Sequence, residues 1–409
     1  MSKTDKRGVT RRDFMVGLGA AASLSIIKPE LVRGSAANSK IKIGLIGCGG
    51  RGQWIMDLFK KHGGYEIYAG HDYFQDRVDE FAGKHNIPKN RRFTGLNGYK
   101  GLLASGVDAV AIESPPYFHP QQAADAVDAG VHTYVAKPIA VDVPGCRTIG
   151  ESGQQARAKK LCFLIDFQTR ADKYFIEALK RVHEGAVGTF AFGEAIYHAD
   201  TPFERMHPYV DKPNPSVEDW LRAWGLSKVL SGDIITEQNI HTLDVMSWIM
   251  DAEPLKATGT CGHLIRNPKF VCDYFSLVFE YSNSVGITFS SRQFNGHGTQ
   301  PEGIRNRMFG AKGVLETEYG GKVFIRGENY YKGGASPGIY QEGAETNIAA
   351  FHKSIAAGDI SNPTVEPSVR SNMVTILGRK AAYEGRTVTW AELMDDQTKL
   401  EFDLTGAKE

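Results

Sequence analysis

The chain has 409 residues, 42% hydrophobic and 23% charged, the profile of a globular protein long enough for two packed cores. Its net charge is +1 and no long basic run follows residue 40, which excludes an electrostatic footprint for nucleic acid. Five cysteines, Cys48, Cys146, Cys162, Cys261 and Cys272, stand singly, without CxxC or metal-ligand spacing, and read as buried small residues.

Residues 1–37 differ in kind from the rest. Lys3, Lys6 and Arg7 lead to Thr10-Arg11-Arg12-Asp13-Phe14-Met15, then to a weakly apolar run, Val16 to Ile27, and to the small residues Ser35-Ala36-Ala37. That order is an export signal. Its apolar run of about a dozen residues falls short of the roughly 20 that span a bilayer, so no stable membrane anchor is expected. Paired arginines followed by phenylalanine specify the twin-arginine export machinery, cleavage near Ala37 and a periplasmic or otherwise exported mature protein. The other reading is an ordinary basic N-terminus with a short buried helix. The segment holds seven basic and three acidic residues, so its removal takes four positive charges from +1 and leaves a mildly acidic chain at −3.

Residues 38–160 read as an NAD-binding domain. Lys40 to Ile46 is a short β-branched apolar run, followed directly by Gly47-Cys48-Gly49-Gly50-Arg51-Gly52 and then by apolar residues at helical spacing from Trp54 to Phe59. GxGxxG at a strand-to-helix turn suits a dinucleotide, because missing side chains let the backbone reach the pyrophosphate and the helix N-terminus stabilises its charge. Arg51 either pairs with that pyrophosphate or faces solvent. A second strand, Tyr65 to Ala69, leads to Asp72, twenty residues after Gly52, where an acid grips the ribose diol. Such an acid repels the extra phosphate of NADP, and no arginine follows before Arg77, so NAD is expected over NADP. A solvated turn residue is the alternative for Asp72.

Further on, the strand Val107 to Ile112 stops at Ser114-Pro115-Pro116-Tyr117-Phe118-His119, a helix covers Pro120 to Ala129, and the strand His132 to Val135 ends at Ala136-Lys137-Pro138. Strands alternating with helices predict a doubly wound parallel sheet with ligands at the carboxyl ends of its strands. Ser114, Pro115, His119 and Lys137 all fall there.

These segments resemble the Gfo/Idh/MocA oxidoreductase family, which includes glucose-fructose oxidoreductase and inositol dehydrogenases, and the resemblance spans nearly the whole mature chain. The family's Thr-Pro-Asn segment with a following His is represented by Ser114-Pro115-Pro116 and His119. Its Glu-Lys-Pro motif, whose lysine is catalytic, is represented by Lys137-Pro138, with Ala136 in place of the glutamate. That departure removes an acid beside the lysine. A second family motif matches Ser231 to Asp244, with Glu237 at the usual aspartate position, four residues before His241 and seven before Asp244. Gly378 to Gly385 and Thr389-Trp390 look like the family's closing helix and turn, and a helix over 365–384 packing back on the NAD-binding domain is expected.

Residues 161–409 read as an α+β domain with a large, mostly antiparallel open sheet, from strand-like runs at Thr189 to His198, Leu255 to Ile265, Cys272 to Tyr281, Val285 to Ser291 and Val314 to Ile325. The resemblance implies helices on one face of that sheet and a homo-oligomer contact on the other. In a helix, positions i, i+4 and i+7 share a face, so Glu237, His241 and Asp244 are expected in line, Glu237 orienting the imidazole. A structural histidine on an amphipathic helix is the plainer alternative; a metal site is not expected, since hydride transfer needs none. Arg170, Tyr197, His198 and His207 are further candidates for lining a sugar site.

The expected chemistry is hydride transfer between a sugar or polyol hydroxyl carbon and the nicotinamide, with His241 taking the hydroxyl proton and Lys137 stabilising the oxygen. Export implies a tightly bound cofactor, because released NADH would not be recycled outside the cytoplasm. Two alternatives stand beside this reading: an NAD-dependent glycosidase or lyase working by transient ring oxidation and elimination, and a cofactor-bound sugar-binding protein without turnover. For the export signal, changing both Arg11 and Arg12 to lysine should leave an uncleaved precursor in the cytoplasm on fractionation, and normal export of that variant would refute the twin-arginine assignment.

Overall fold

The apolar run Ile41–Ile46 is buried on both sides and forms β1 at the centre of a sheet, as a nearly continuous apolar sequence demands. The computed structural model describes residues 40–409, so the export signal and its cleavage site lie outside the described residues. After β1 the chain turns at the glycines into α1 (Gly50–His62) and returns as β2 (Tyr65–Asp72), then passes through α2 (Gln75–His85) to β3 (Arg92–Thr94). It then crosses to the other side of β1 as β4 (Ala109–Ile112), β5 (His132–Ala136) and β6 (Phe163–Asp166). The strand order is β3-β2-β1-β4-β5-β6, parallel throughout. Order reverses between β1 and β4, which opens a crevice at their carboxyl ends.

β6 corrects one expectation. Its four residues fall beyond the boundary expected at 160, yet Ala136 pairs with Asp166 in the first sheet. The helix Val143–Ala158 is the reason: it is a crossover that returns the chain parallel to β5.

The second sheet has nine strands: β7 (Phe190–Ala199), β8 (Lys256–Gly262), β9 (Tyr274–Glu280), β10 (Gly286–Gln293), β11 (Gly303–Gly310), β12 (Gly313–Glu318), β13 (Lys322–Gly327), β14 (Tyr331–Ala335) and β15 (Val388–Thr389). It is antiparallel except where β7 meets β10. The expected run Val314 to Ile325 divides at a turn into β12 and β13, and β11 was hidden in the sequence by its two arginines and asparagine. One face follows strict alternation, with Phe275, Leu277 and Phe279 buried in β9 while Val278 is exposed. Helices Ile240–Met250 and Val365–Glu384 cover that face, the latter also packing on the crossover helix Val143–Ala158. Ile112 and Val135 of the first sheet thereby share one core with Leu277 and Phe279 of the second. Among the described residues no helix is long and apolar enough to cross a membrane. The cysteines are all free, four of them buried and Cys261 half-buried.

Candidate functional site

The glycine turn has distinct requirements at each position. Gly47 sits at φ +97, and a Cβ there would meet the Glu113 and Ser114 backbone at 2.6 Å; a Cβ on Gly52 would stand 1.9 Å from the Gly47 carbonyl. These two glycines let β1, β4 and α1 close on one another. Gly49 and Gly50 differ: a Cβ on either would meet only a guanidinium, Arg77 Nη1 at 3.9 Å or Arg205 Nη2 at 3.8 Å. Bare amides beside open space at a helix N-terminus, with cations around it, fit a pyrophosphate.

Asp72 ends β2 buried, its Oδ1 accepting from the Phe74 amide at 3.0 Å. Burial raises its pKa, while Arg77 pulls the other way. Arg77 Nη1 lies 3.9 Å from Asp72 Oδ2, so the arginine that the sequence placed too far along the chain to matter is a neighbour. Asp72 and Arg77 wall a narrow pocket with Phe74, Leu96, Pro115 and Phe118.

A cleft of about 640 Å³ runs from the glycine turn to the second sheet and carries Lys137, Glu237, His241 and Tyr197 on its walls. Lys137 Nζ donates to the Glu237 main-chain carbonyl at 2.7 Å and to its Oε1 at 3.3 Å. Burial lowers the lysine pKa, Arg51 adds to that, and Glu237 opposes it. Burial also carries the His241 pKa well below 6.5, helped by Lys137 and Arg51, so the ring is neutral at physiological pH. Its Nδ1 has no partner among the described residues, and Tyr319 packs beside it at 5.3 Å.

Several expected placements are corrected. Glu237 does not orient the imidazole, because the helix expected across 237–244 is broken: Asp233–Glu237 ends, Gln238 and Asn239 intervene, and Ile240–Met250 begins anew. Its carboxylate meets Lys137 and the Gln238 amide instead. Asp244 is fully buried and takes a bidentate pair from Arg170, at 2.8–3.0 Å, plus the Ser371 hydroxyl at 2.7 Å. Neither Arg170 nor Asp244 lines the cleft. A buried carboxylate requires such a partner. Tyr197 and His198 are neighbours in a strand and face opposite ways. Tyr197 lines the cleft, its hydroxyl donating to Gln238 Oε1 at 2.7 Å, while His198 bonds Ser290 and the Pro301 carbonyl elsewhere. His207 pairs with Asp211 at 3.2 Å outside the cleft, although Arg205, Met206 and Tyr209 of the same loop line it.

In the cofactor half, the His119 ring nitrogens face the carbonyls of Pro138 at 2.8 Å and Ser114 at 2.6 Å, and burial pulls its pKa down to about 4, so the neutral ring donates to one of the two according to its tautomer. It straps the loops after β4 and β5 together and has no nitrogen free for a cofactor. Ser114 Oγ donates to Gln122 at 2.5 Å. Arg51 lines the cleft half-buried and is held by protein groups: it pairs with Glu113 at 3.1 Å and Asp166 at 2.6 Å and donates to the Tyr340 hydroxyl at 2.9 Å. Glu113, Gln238, Tyr319 and Tyr340 line the cleft and were not singled out from the sequence. Only Glu113 left a local signal there, a charge closing an apolar strand at its carboxyl end. Among the described residues no group of three or more His, Cys, Asp or Glu is placed to hold a metal ion.

An open parallel sheet whose switch point offers bare glycine amides beside a ribose-level carboxylate defines a dinucleotide-binding protein. Sequence comparison says of which kind. Residues 41–164 match the oxidoreductase family with an NAD-binding Rossmann fold, and residues 175–316 match the GFO/IDH/MocA C-terminal domain. The chain belongs to the Gfo/Idh/MocA oxidoreductase family. A glycosyl hydrolase family 109 protein of Shewanella baltica is 28% identical over 213 residues, 46% of this chain and 46% of that protein. An alpha-N-acetylgalactosaminidase of Shewanella oneidensis is 30% identical over 162 residues, 38% of this chain and 35% of that protein. The matches thus span less than half the length of these curated relatives. Levoglucosan dehydrogenase, solved in complex with NADH and levoglucosan, shares the fold with a TM-score of 0.69 at 17% identity, over 86% of this chain and 99% of that one.

The reassignment of Arg170 has a measurable consequence. Arg170→Met should destabilise the protein by about 3–5 kcal/mol in urea unfolding, the cost of stranding a buried charge, while folded protein keeps normal nucleotide affinity. Weakened nucleotide binding without lost stability would return Arg170 to the site.

Proposed function

We propose that the protein is an NAD-dependent oxidoreductase that moves a hydride between a sugar or polyol hydroxyl carbon and a tightly held cofactor, acting after export to the periplasm. The observation that carries this reading is the convergence of Lys137 and His241, about a hundred residues apart, on the cleft that begins at the glycine turn. When bound, the nicotinamide supplies hydride acceptance and donation. The glycine amides and the α1 N-terminus hold its pyrophosphate, and Asp72 takes the ribose diol. His241, neutral and with an unpartnered nitrogen, accepts the substrate hydroxyl proton, while Lys137 donates a hydrogen bond to the same oxygen and stabilises its developing charge. Glu237 holds Lys137 in place. The polar and aromatic groups on the far wall, Tyr197, Gln238 and Tyr319, suit a polyhydroxylated ligand, and the uncovered face of the second sheet suits a homo-oligomer contact.

A second reading is favoured by the names of the curated relatives: a redox-neutral glycosidase in which bound NAD would take the hydride from a ring hydroxyl carbon while the same pair handles the proton, the aglycone would leave by elimination and water would add, and the hydride would then return to the sugar. Sugars and O-glycosides offered to the purified protein separate the two, since aglycone released in step with transient cofactor reduction selects the glycosidase.

NAD preference rests on Asp72. Asp72→Ser should weaken NAD binding by about 1–3 kcal/mol and, with Arg77 beside it, relax discrimination against NADP; unchanged titration curves for both nucleotides would remove Asp72 from the site.

For the catalytic pair, Lys137→Met and His241→Ala should each slow substrate-driven reduction of bound NAD by about 10²-fold or more while leaving NAD affinity nearly intact; His241→Ala should keep its melting temperature, whereas Lys137→Met, which strands the buried Glu237 carboxylate, should melt earlier. The double variant should be little worse than the poorer single one, because both act on one oxygen. Since His241 is neutral until well below pH 6.5, the acid loss of rate in the parent should begin below that value. An early-melting His241→Ala whose folded fraction reacts normally would overturn the mechanism.

A further inference from the structure

Three neighbouring strands end level at the carboxyl edge of the cofactor sheet. Ile112 pairs with Val135, and Ala136 pairs with Asp166. Glu113, Ala136 and Asp166 therefore form a row across β4, β5 and β6, and level residues in adjacent strands share a face. The outer two side chains are fully buried carboxylates and the middle one is a methyl group. Arg51 bridges the row over Ala136, Nε at 3.1 Å from Glu113 Oε2 and Nη2 at 2.6 Å from Asp166 Oδ2. Asp166 is otherwise well satisfied, accepting from Asn347 at 2.8 Å and Gln168 at 3.2 Å. Glu113 is not: neither of its oxygens accepts a hydrogen bond from any described group.

A buried carboxylate on a cleft wall with one ion-pair partner is costly, and its removal in favour of an apolar residue would often stabilise a fold. Its neighbours show what it serves. Lys137 follows Ala136 directly on the same wall, and Arg51 sets a second positive charge near it.

We propose that Glu113 is a positioning residue of the active site: with Asp166 it holds and neutralises Arg51 across Ala136, so that Lys137 keeps its proton beside the substrate oxygen. The acid expected next to Lys137 on its own strand is thus supplied from the strand alongside. The electrostatics agree in direction, since Arg51 lowers the Lys137 pKa and Asp166 raises it, while burial brings Glu113 up to about 7 against the pull of Arg51. The groups facing this cluster are Lys137 and Tyr134 from β5 and its end, Asp166 from β6, Arg51 from α1, Tyr340 from the helix Ile339–Ala357, and Glu237 and His241 from the broken helix.

The consequence for turnover rests on the hydride-transfer reading, but the effect on Lys137 is measurable without it. In protein labelled with ¹⁵N at lysine Nζ, the Lys137 signal is assigned by its loss in Lys137→Met and titrated without substrate. Glu113→Gln should lower the Lys137 midpoint by about one pH unit, and the relocated acid, Glu113→Ala with Ala136→Glu, should bring it back. Substrate-driven reduction of bound NAD should fall about tenfold in Glu113→Gln and recover in the double variant. An unmoved Lys137 midpoint in folded Glu113→Gln, or an early-melting variant with a normal midpoint, would overturn the proposal. A moved midpoint in a protein that reduces NAD with no sugar or polyol would overturn the hydride-transfer reading and leave the role of Glu113 standing.

Discussion

A buried ammonium must be answered by acceptors, and the acceptors for Lys137 come from the other half of the chain. Its Nζ takes the carbonyl and the carboxylate of Glu237. That carbonyl is free because the helix ends there. In an unbroken helix the His241 amide would bond it, whereas here the His241 amide reaches the Gln238 carbonyl at 3.4 Å. The break thus does two things at once: it exposes an acceptor for the lysine, and it re-aims the next helix so that His241 arrives beside the lysine rather than stacked above Glu237. This contact joins the end of β5 to the broken helix on one wall of the cleft, where burial, helped by Lys137 and Arg51, keeps the His241 ring neutral.

Charges around the cleft are arranged in linked pairs rather than singly. Glu237 answers Lys137, while Glu113 and Asp166 answer Arg51. With two cations nearby and a dry setting, His241 has nothing to favour its protonated form, which is the condition a proton acceptor needs. Each carboxylate therefore contributes less by its own bond than by the charge it keeps from its neighbours. Removing one member of such a buried set leaves the rest uncompensated, so these residues are bound to one another energetically although they come from five separate strands and helices.

The first sheet was legible because its signals are local. A β-branched run, a glycine turn and an apolar helix within twenty residues define β1 and α1, and Asp72 and Lys137 fall at strand ends where the alternating pattern puts them. The site beyond those positions was less legible. Glu237, His241 and Asp244 have perfect helical spacing, and spacing alone does not report a break at Gln238-Asn239, where the Glu237 carbonyl takes Lys137 rather than the His241 amide. Arg170 and Asp244 looked like site residues because charged groups near a catalytic motif do; their pairing spans 74 positions and leaves no mark in the sequence. Tyr319 sits in a hairpin turn, and only the packing of the helix Ile240–Met250 on β7 and β11 brings His241 to it.

The nucleotide side of the cleft is likewise assembled from distant stretches. Phe74 and Leu221 line the narrow pocket by Asp72, and the same two residues pack in a cluster with Phe402 and Leu404 from the C-terminal segment. That segment is tied down at the mouth of the pocket, where the Leu96 amide donates to the Lys408 carbonyl at 2.9 Å and the Lys408 amide donates to the Tyr73 hydroxyl at 3.0 Å. Arg205, from the loop before the helix His207–Val210, reaches over Gly50 from the opposite side. A dinucleotide lying from the glycine turn into this pocket is therefore walled by three stretches far apart in the chain. Leaving requires several of their contacts to part together, and opening that is cooperative is rare, because its free energy is the sum over the contacts broken. Slow cofactor exchange is the physical expectation for such a pocket.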